Sequence, residues 1–138
     1  MPEQIPDHLE AVGPGWRPLL QRLHGDLLAV SPDYSVQQVK EKYGLLRVYL
    51  YTGLLRHMAT GSDRLPEPHE ADRYKQEDDA AQRLVDAAEE ESGRICEACG
   101  NPGRTRDRAW IKTLCDHCAG PPPSGSEGAG PIPPNCGR

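Results

Sequence analysis

The chain has 138 residues, of which 14 are glycine and 14 proline; aromatics make up 5% and phenylalanine is absent, so a thick hydrophobic core is not expected. A chain of this size and composition ordinarily needs a metal, a disulfide or an oligomer to hold it, while the lack of a long apolar run excludes a membrane span. The net charge of −5 is unevenly spread: residues 67–93 hold ten acids and three bases, residues 94–138 four acids and six bases, so only the C-terminal third has the charge to meet phosphate.

Residues 1–15 contain Pro2, Pro6, Gly13, Pro14 and Gly15 and read as a flexible arm, without the basic start and apolar run of a secretory leader. The expected compartment is therefore the cytoplasm, where thiols stay reduced. Residues 16–30 largely follow a helical period through Trp16, Leu19, Leu20, Leu23, Leu27, Leu28 and Val30, with Pro18 in the first turn, where its missing N–H costs nothing. Ser31-Pro32-Asp33 stops that helix.

Residues 34–52 read as a β-hairpin with strands over 35–42 and 45–52, because Leu46, Val48 and Leu50 alternate with Arg47, Tyr49 and Tyr51, and Gly44 stands at the turn. A rival helix is written into the same stretch, since Val36, Val39, Tyr43, Leu46 and Leu50 fall at spacings of three and four. Gly44 and the Val/Tyr-rich end favour the hairpin. Residues 61–69 form a linker. Residues 70–92 contain neither glycine nor proline and predict a long helix with a narrow stripe of Tyr74, Ala81, Leu84, Val85 and Ala88, ended by Gly93. Glu89, Glu90 and Glu91 stand at the end where the helix dipole disfavours anions, so fraying of the last turn is expected. Residues 119–138, with six prolines and five glycines, read as a disordered tail. Within it Pro121-Pro122-Pro123 is a short polyproline II candidate, and Cys136 a free thiol without a role.

The strongest signal is the pair Cys96-x2-Cys99 and Cys115-x2-Cys118, separated by fifteen residues. Two cysteines two apart turn both sulfurs toward one ion, and Gly100 permits the bend that follows the first pair. Four thiolates fill a tetrahedron and leave no open coordination position, so a structural Zn2+ is expected rather than a catalytic one. Iron and dithiol chemistry are the alternatives, the latter lacking its usual βαβ setting. His117, between two ligands, is a substitute donor or an exposed bystander. Residues 104–114 suit a hairpin that returns the second pair to the first.

The Cys96-x2-Cys99-Gly100 knuckle, the short hairpin and Leu114-Cys115-x2-Cys118 resemble treble-clef zinc fingers of the GATA type. That family starts a helix at its second pair, whereas Ala119-Gly-Pro-Pro-Pro blocks one here. Its base recognition therefore does not carry over, and a zinc-ribbon-like pair of knuckles fits better. Gly15-Trp16, the segment from Val39 to Tyr49 and the cysteine pairs from Cys96 to Cys118 together resemble small bacterial and phage-associated proteins, a likeness that implies no particular activity.

The histidines at 8, 24, 57, 69 and 117 form no metal or catalytic motif, and no phosphate-binding glycine loop or nucleophile elbow is present. The expectation is an α+β protein: helix 16–30, hairpin 34–52 and helix 70–92 within 16–93, a four-cysteine zinc module over 94–118, then the tail. The function expected is a non-enzymatic zinc-binding interaction protein with a protein partner. The alternative is a DNA- or RNA-binding regulator using Arg104, Arg106, Arg108, Trp110 and Lys112. Arg47, Tyr49 and Tyr51 on one strand face are the second candidate contact surface, against the simpler reading of Lys40, Glu41, Lys42 and Arg47 around the turn as cross-strand ion pairs.

Overall fold

The computed structural model describes residues 3–59, 64–107 and 111–119. Its elements are α1 (Arg17–Val30), β1 (Ser35–Lys42), β2 (Leu45–Tyr51), α2 (Gly53–Ala59), α3 (Pro68–Ser92), β3 (Arg104–Arg106) and β4 (Lys112–Leu114), preceded by two 3-10 turns at Ile5–Ala11 and Pro14–Trp16. The class is α+β, as the alternation of helical and strand periodicity predicts. The proposed tail lies outside the described residues, apart from Ala119.

Helix α1 buries Leu19, Leu20, Leu23 and Leu27, one face of the helical repeat, and Trp16 is fully buried at its head, whereas Leu28 and Val30, also counted in the expected stripe, fall off that face and stay exposed. The hairpin, not the rival helix, occupies 35–51, with β1 and β2 antiparallel in the register Lys42↔Leu45, Lys40↔Arg47, Val39↔Val48. Tyr43 and Gly44 form its two-residue turn, both with positive φ (56° and 82°), which is the backbone twist that a tight hairpin requires. Val36, Val39, Leu46 and Val48 then point into a core shared with α1 and with Ala81, Val85 and Ala88 of α3.

The N-terminal segment is not a loose arm, and that expectation is corrected. Ile5 is fully buried, and its N–H donates to the Tyr34 hydroxyl at 3.0 Å. The Gln4 amide reaches the carbonyls of Pro32 and Tyr34, and Val36 N–H donates to the Glu3 carbonyl at 2.7 Å. These partners lie about thirty residues downstream, beyond the reach of a periodicity argument. Helix α2 was also not anticipated. Its Arg56 pairs with Glu77 of α3, which in turn accepts from Ser31, and Thr52 just before it donates to Asp78 at 2.6 Å. Leu54, Leu55 and Met58 of α2 remain exposed.

The glutamates at the end of α3 do not fray it. Helix α3 runs to the buried Ser92, and its last turns seal the open edge of β2. Leu46 N–H donates to the Ser92 hydroxyl at 2.9 Å and Val48 N–H to the Glu89 carboxylate at 3.0 Å. An unpaired strand edge leaves such donors orphaned; here helix side chains satisfy them. Arg47 also bonds Glu89 at 3.2 Å, Glu91 pairs with Arg22, and Glu90 lies 3.6 Å from Arg94. Each glutamate thus meets a cation that offsets its unfavourable place on the helix dipole. The hairpin is therefore flanked along its edge as well as covered on its face.

Candidate metal centre

Only three residues separate the end of helix α3 at Ser92 from Cys96, so the first knuckle leaves directly from the helical body. Cys96 N–H donates to the Asn101 carbonyl and Gly100 N–H to the Cys96 carbonyl, both at 2.8 Å, which folds residues 96–101 into a tight loop. Gly100 has a φ of 86°, the left-handed conformation that glycine adopts without strain. Strands β3 and β4 pair antiparallel with Arg104 opposite Leu114 and Arg106 opposite Lys112, bringing Cys115 back to the first pair. Cys118 N–H then donates to the Cys115 sulfur at 3.3 Å.

The four sulfurs of Cys96, Cys99, Cys115 and Cys118 all lie within 4.8 Å of one another. Cys99 and Cys115 are 3.7 Å apart, far beyond the ~2.05 Å of a disulfide. A tetrahedron with Zn–S bonds of about 2.3 Å has edges of about 3.8 Å, so the donor set fits that geometry. Cys96, Cys99 and Cys115 are buried and Cys118 half-buried, and none is in a disulfide. All four predicted ligands are brought together. His117 is exposed and stands outside the cluster, while Cys136 lies outside the described residues.

The module's cations are largely occupied. Arg106 donates twice to the Leu114 carbonyl and lies 2.7 Å from Asp116, whose carboxyl it holds below its ordinary range. Arg104 is exposed, 3.9 Å from the same Asp116. Lys112 sits between Glu41 at 3.3 Å and Glu97 at 3.2 Å. Burial alone would lower the Lys112 ammonium, but the two carboxylates outweigh it and hold it above its usual value. Burial pushes the Glu97 carboxyl up, with Lys112 opposing. Arg108 and Trp110 lie outside the described residues.

The second candidate surface divides. Arg47 is engaged with Glu89, so the simple cross-strand ion pair is not what forms. Tyr49 is exposed with the Lys40 ammonium 5.6 Å from its ring, and Tyr51 is half-buried. Arg47 and Tyr49, with Tyr43, Leu55, Val85 and Asp78, line a groove of about 770 Å³ between β2 and α3. Tyr51 is not part of that lining.

Sequence reasoning missed how the knuckle is seated. Gly15 N–H donates to the Glu97 carbonyl and the Trp16 indole N–H to the Ile95 carbonyl, both at 2.9 Å. On the other side, the buried Thr113 hydroxyl donates to the Gly44 carbonyl at 2.5 Å. The proximity of Gly-Pro-Gly-Trp in the sequence was the available signal, but nothing local says what it touches.

The fold and the site together define a small α+β protein carrying a knuckle of four clustered cysteines that could hold a metal ion. No protein-family profile, curated protein or solved structure matches the chain, so the resemblances to GATA-type fingers and to phage-associated proteins gain no support beyond the cysteine module itself. Among the described residues no helix is long and apolar enough to cross a membrane.

Proposed function

We propose that the chain is a non-enzymatic interaction protein whose C-terminal knuckle holds a structural Zn2+. The observation that carries the metal is the convergence of four sulfurs within 4.8 Å, three of them buried. Four thiolate donors complete the tetrahedron, so no position is left for water or substrate. When bound, the ion cross-links the two Cys-x-x-Cys turns, whose own strands β3 and β4 are only three residues long, which suits a domain with so little apolar bulk.

A protein partner is favoured over nucleic acid by the ion pairs. Arg106 and Lys112 are committed to carboxylates, and a four-thiolate zinc site adds a further net charge of about −2 nearby. The groove between β2 and α3 offers instead what protein interfaces use, aromatic and apolar side chains with a charged rim: Tyr43, Tyr49 and Leu55 beside Arg47 and Asp78. Affinity capture with the intact chain, with and without nuclease, should retain partners after nuclease treatment and lose them in Tyr49→Ala. Duplex DNA bound at physiological salt and released by Arg104→Ala with Arg106→Ala would instead establish the nucleic-acid reading.

A further inference from the structure

We propose that the Gly13–Trp16 segment and the hairpin turn at Gly44 are positioning elements of the metal centre, so that metal affinity and the packing of the N-terminal body are reciprocally coupled. This rests on the zinc reading above.

The two halves of the cysteine cluster are each fastened to the body by contacts that involve no sulfur. On the first half, the backbone is pinned before and after Cys96: Ile95 C=O accepts from the Trp16 indole and Glu97 C=O from Gly15 N–H. The approach is closer than any side chain permits. A Cβ on Gly15 would stand 1.9 Å from the Cys96 carbonyl oxygen and 2.6 Å from the Gly100 nitrogen, and one on Gly13 would stand 2.2 Å from the Glu97 carbonyl oxygen. These obstacles are backbone atoms of the knuckle, which cannot rotate away.

The second half hangs on Thr113, two residues before Cys115. Its hydroxyl donates to Gly44 C=O, and its own C=O accepts from Glu97 N–H at 2.9 Å, tying the two halves together. Lys112, bonded to Glu41 of β1 and to Glu97 of the knuckle, adds a charged strut over the same junction. The body thus fixes the orientation of both Cys-x-x-Cys turns before any metal–sulfur bond forms. Preorganisation of this kind raises affinity by removing ordering cost from the binding step. By linkage, whatever the body contributes to zinc binding, zinc contributes equally to holding the body.

The test uses the full chain. Zinc affinity is measured by competition with a chromophoric chelator for the wild type, Gly15→Ala, Thr113→Val and the control Gly25→Ala, whose added methyl meets nothing within 4 Å. Gly15→Ala and Thr113→Val should each bind zinc about tenfold more weakly, within the ordinary range of coupling between sites, with one ion still bound at saturation; Gly25→Ala should bind as the wild type does. A substitution that merely loosened the body would destabilise zinc-loaded and zinc-free chains alike and leave affinity unmoved, which would overturn the proposal. Hydrogen exchange of the wild type gives the reciprocal reading and needs no variant to fold. Chelating the zinc should speed exchange in α1 and β2, whereas a change confined to residues 94–119 would overturn the coupling. A wild-type chain that takes up no zinc would overturn the metal reading, and the coupling with it.

Discussion

Replacing Glu89 by alanine should destabilise the protein far more than replacing its neighbour Glu90, although both are glutamates in the last turns of one helix. The Glu89 carboxylate accepts Val48 N–H at 3.0 Å and Arg47 at 3.2 Å, and its side chain is 14% exposed. Val48 is 4% exposed, so its orphaned N–H would have no ready route to water. Losing a charged acceptor from a buried donor costs about 1.5–3 kcal/mol. Arg47, 35% exposed, would be rehydrated, so its lost pair adds less than about 1 kcal/mol. A total of about 2 kcal/mol corresponds to a fall in Tm of about 8 °C for a domain of this size. Glu90 is 78% exposed and meets only Arg94, so Glu90→Ala should change stability by less than about 0.5 kcal/mol. Glu89→Gln keeps an oxygen for Val48 and should recover about half of the loss. Thermal unfolding of the three variants at neutral pH reads all of this. Equal effects of Glu89→Ala and Glu90→Ala would refute the account of α3 as the cap of the β2 edge.

The remaining expectations are direct. Elemental analysis of the purified chain should find one zinc per chain, and Cys99→Ser should abolish it, since an apparent binding energy of about 10–16 kcal/mol depends on the full ligand set. Gly25→Ala should raise stability by about 0.5–1 kcal/mol, because its methyl enters open space in the interior of α1; a fall in Tm would refute this. Burial alone would raise the Glu77 carboxyl, but hydrogen bonds from Arg56 and Ser31 outweigh it and hold it below its ordinary value of 4.5. A depressed carboxyl contributes stability that is present above its unfolded pKa and lost as pH falls through the folded one. Glu77→Gln should therefore flatten the loss of stability below about pH 4.5, and an unchanged acid limb in Tm against pH would count against the Arg56–Glu77–Ser31 cluster. Deleting residues 120–138 should leave Tm and zinc content unchanged, and a large fall in either would show that the segment packs on the domain.

What could be read without coordinates was whatever a short stretch of chain settles by itself. The 3.6-residue spacing of Leu19, Leu20, Leu23 and Leu27 defines a helix face within a few residues, whereas the alternation around Gly44 only favours a hairpin over the helix that Val36, Val39, Tyr43, Leu46 and Leu50 also allow, and the pairing of β1 with β2 decides between them. The cysteine cluster was legible for a similar reason: a two-residue spacing fixes the bite of a chelate whatever surrounds it. Glu89, by contrast, looks like a poor choice at the end of a helix until β2 is seen to lie beside it, with a donor that needs an acceptor. Gly13 and Gly15 look like punctuation in a loose arm until the Cys96 knuckle is found pressed against them. Arg106 and Lys112 look like a basic patch until Asp116, Glu41 and Glu97 are found holding them. Helix α2 is too short to announce itself, and its tie to α3 through Arg56 and Glu77 joins residues far apart in the chain. Periodicity and chelate spacing are properties of neighbouring residues along the chain, whereas the pairing of a charge or the fit of a glycine is decided by groups as many as 79 residues away, and folding alone chooses which of them meet.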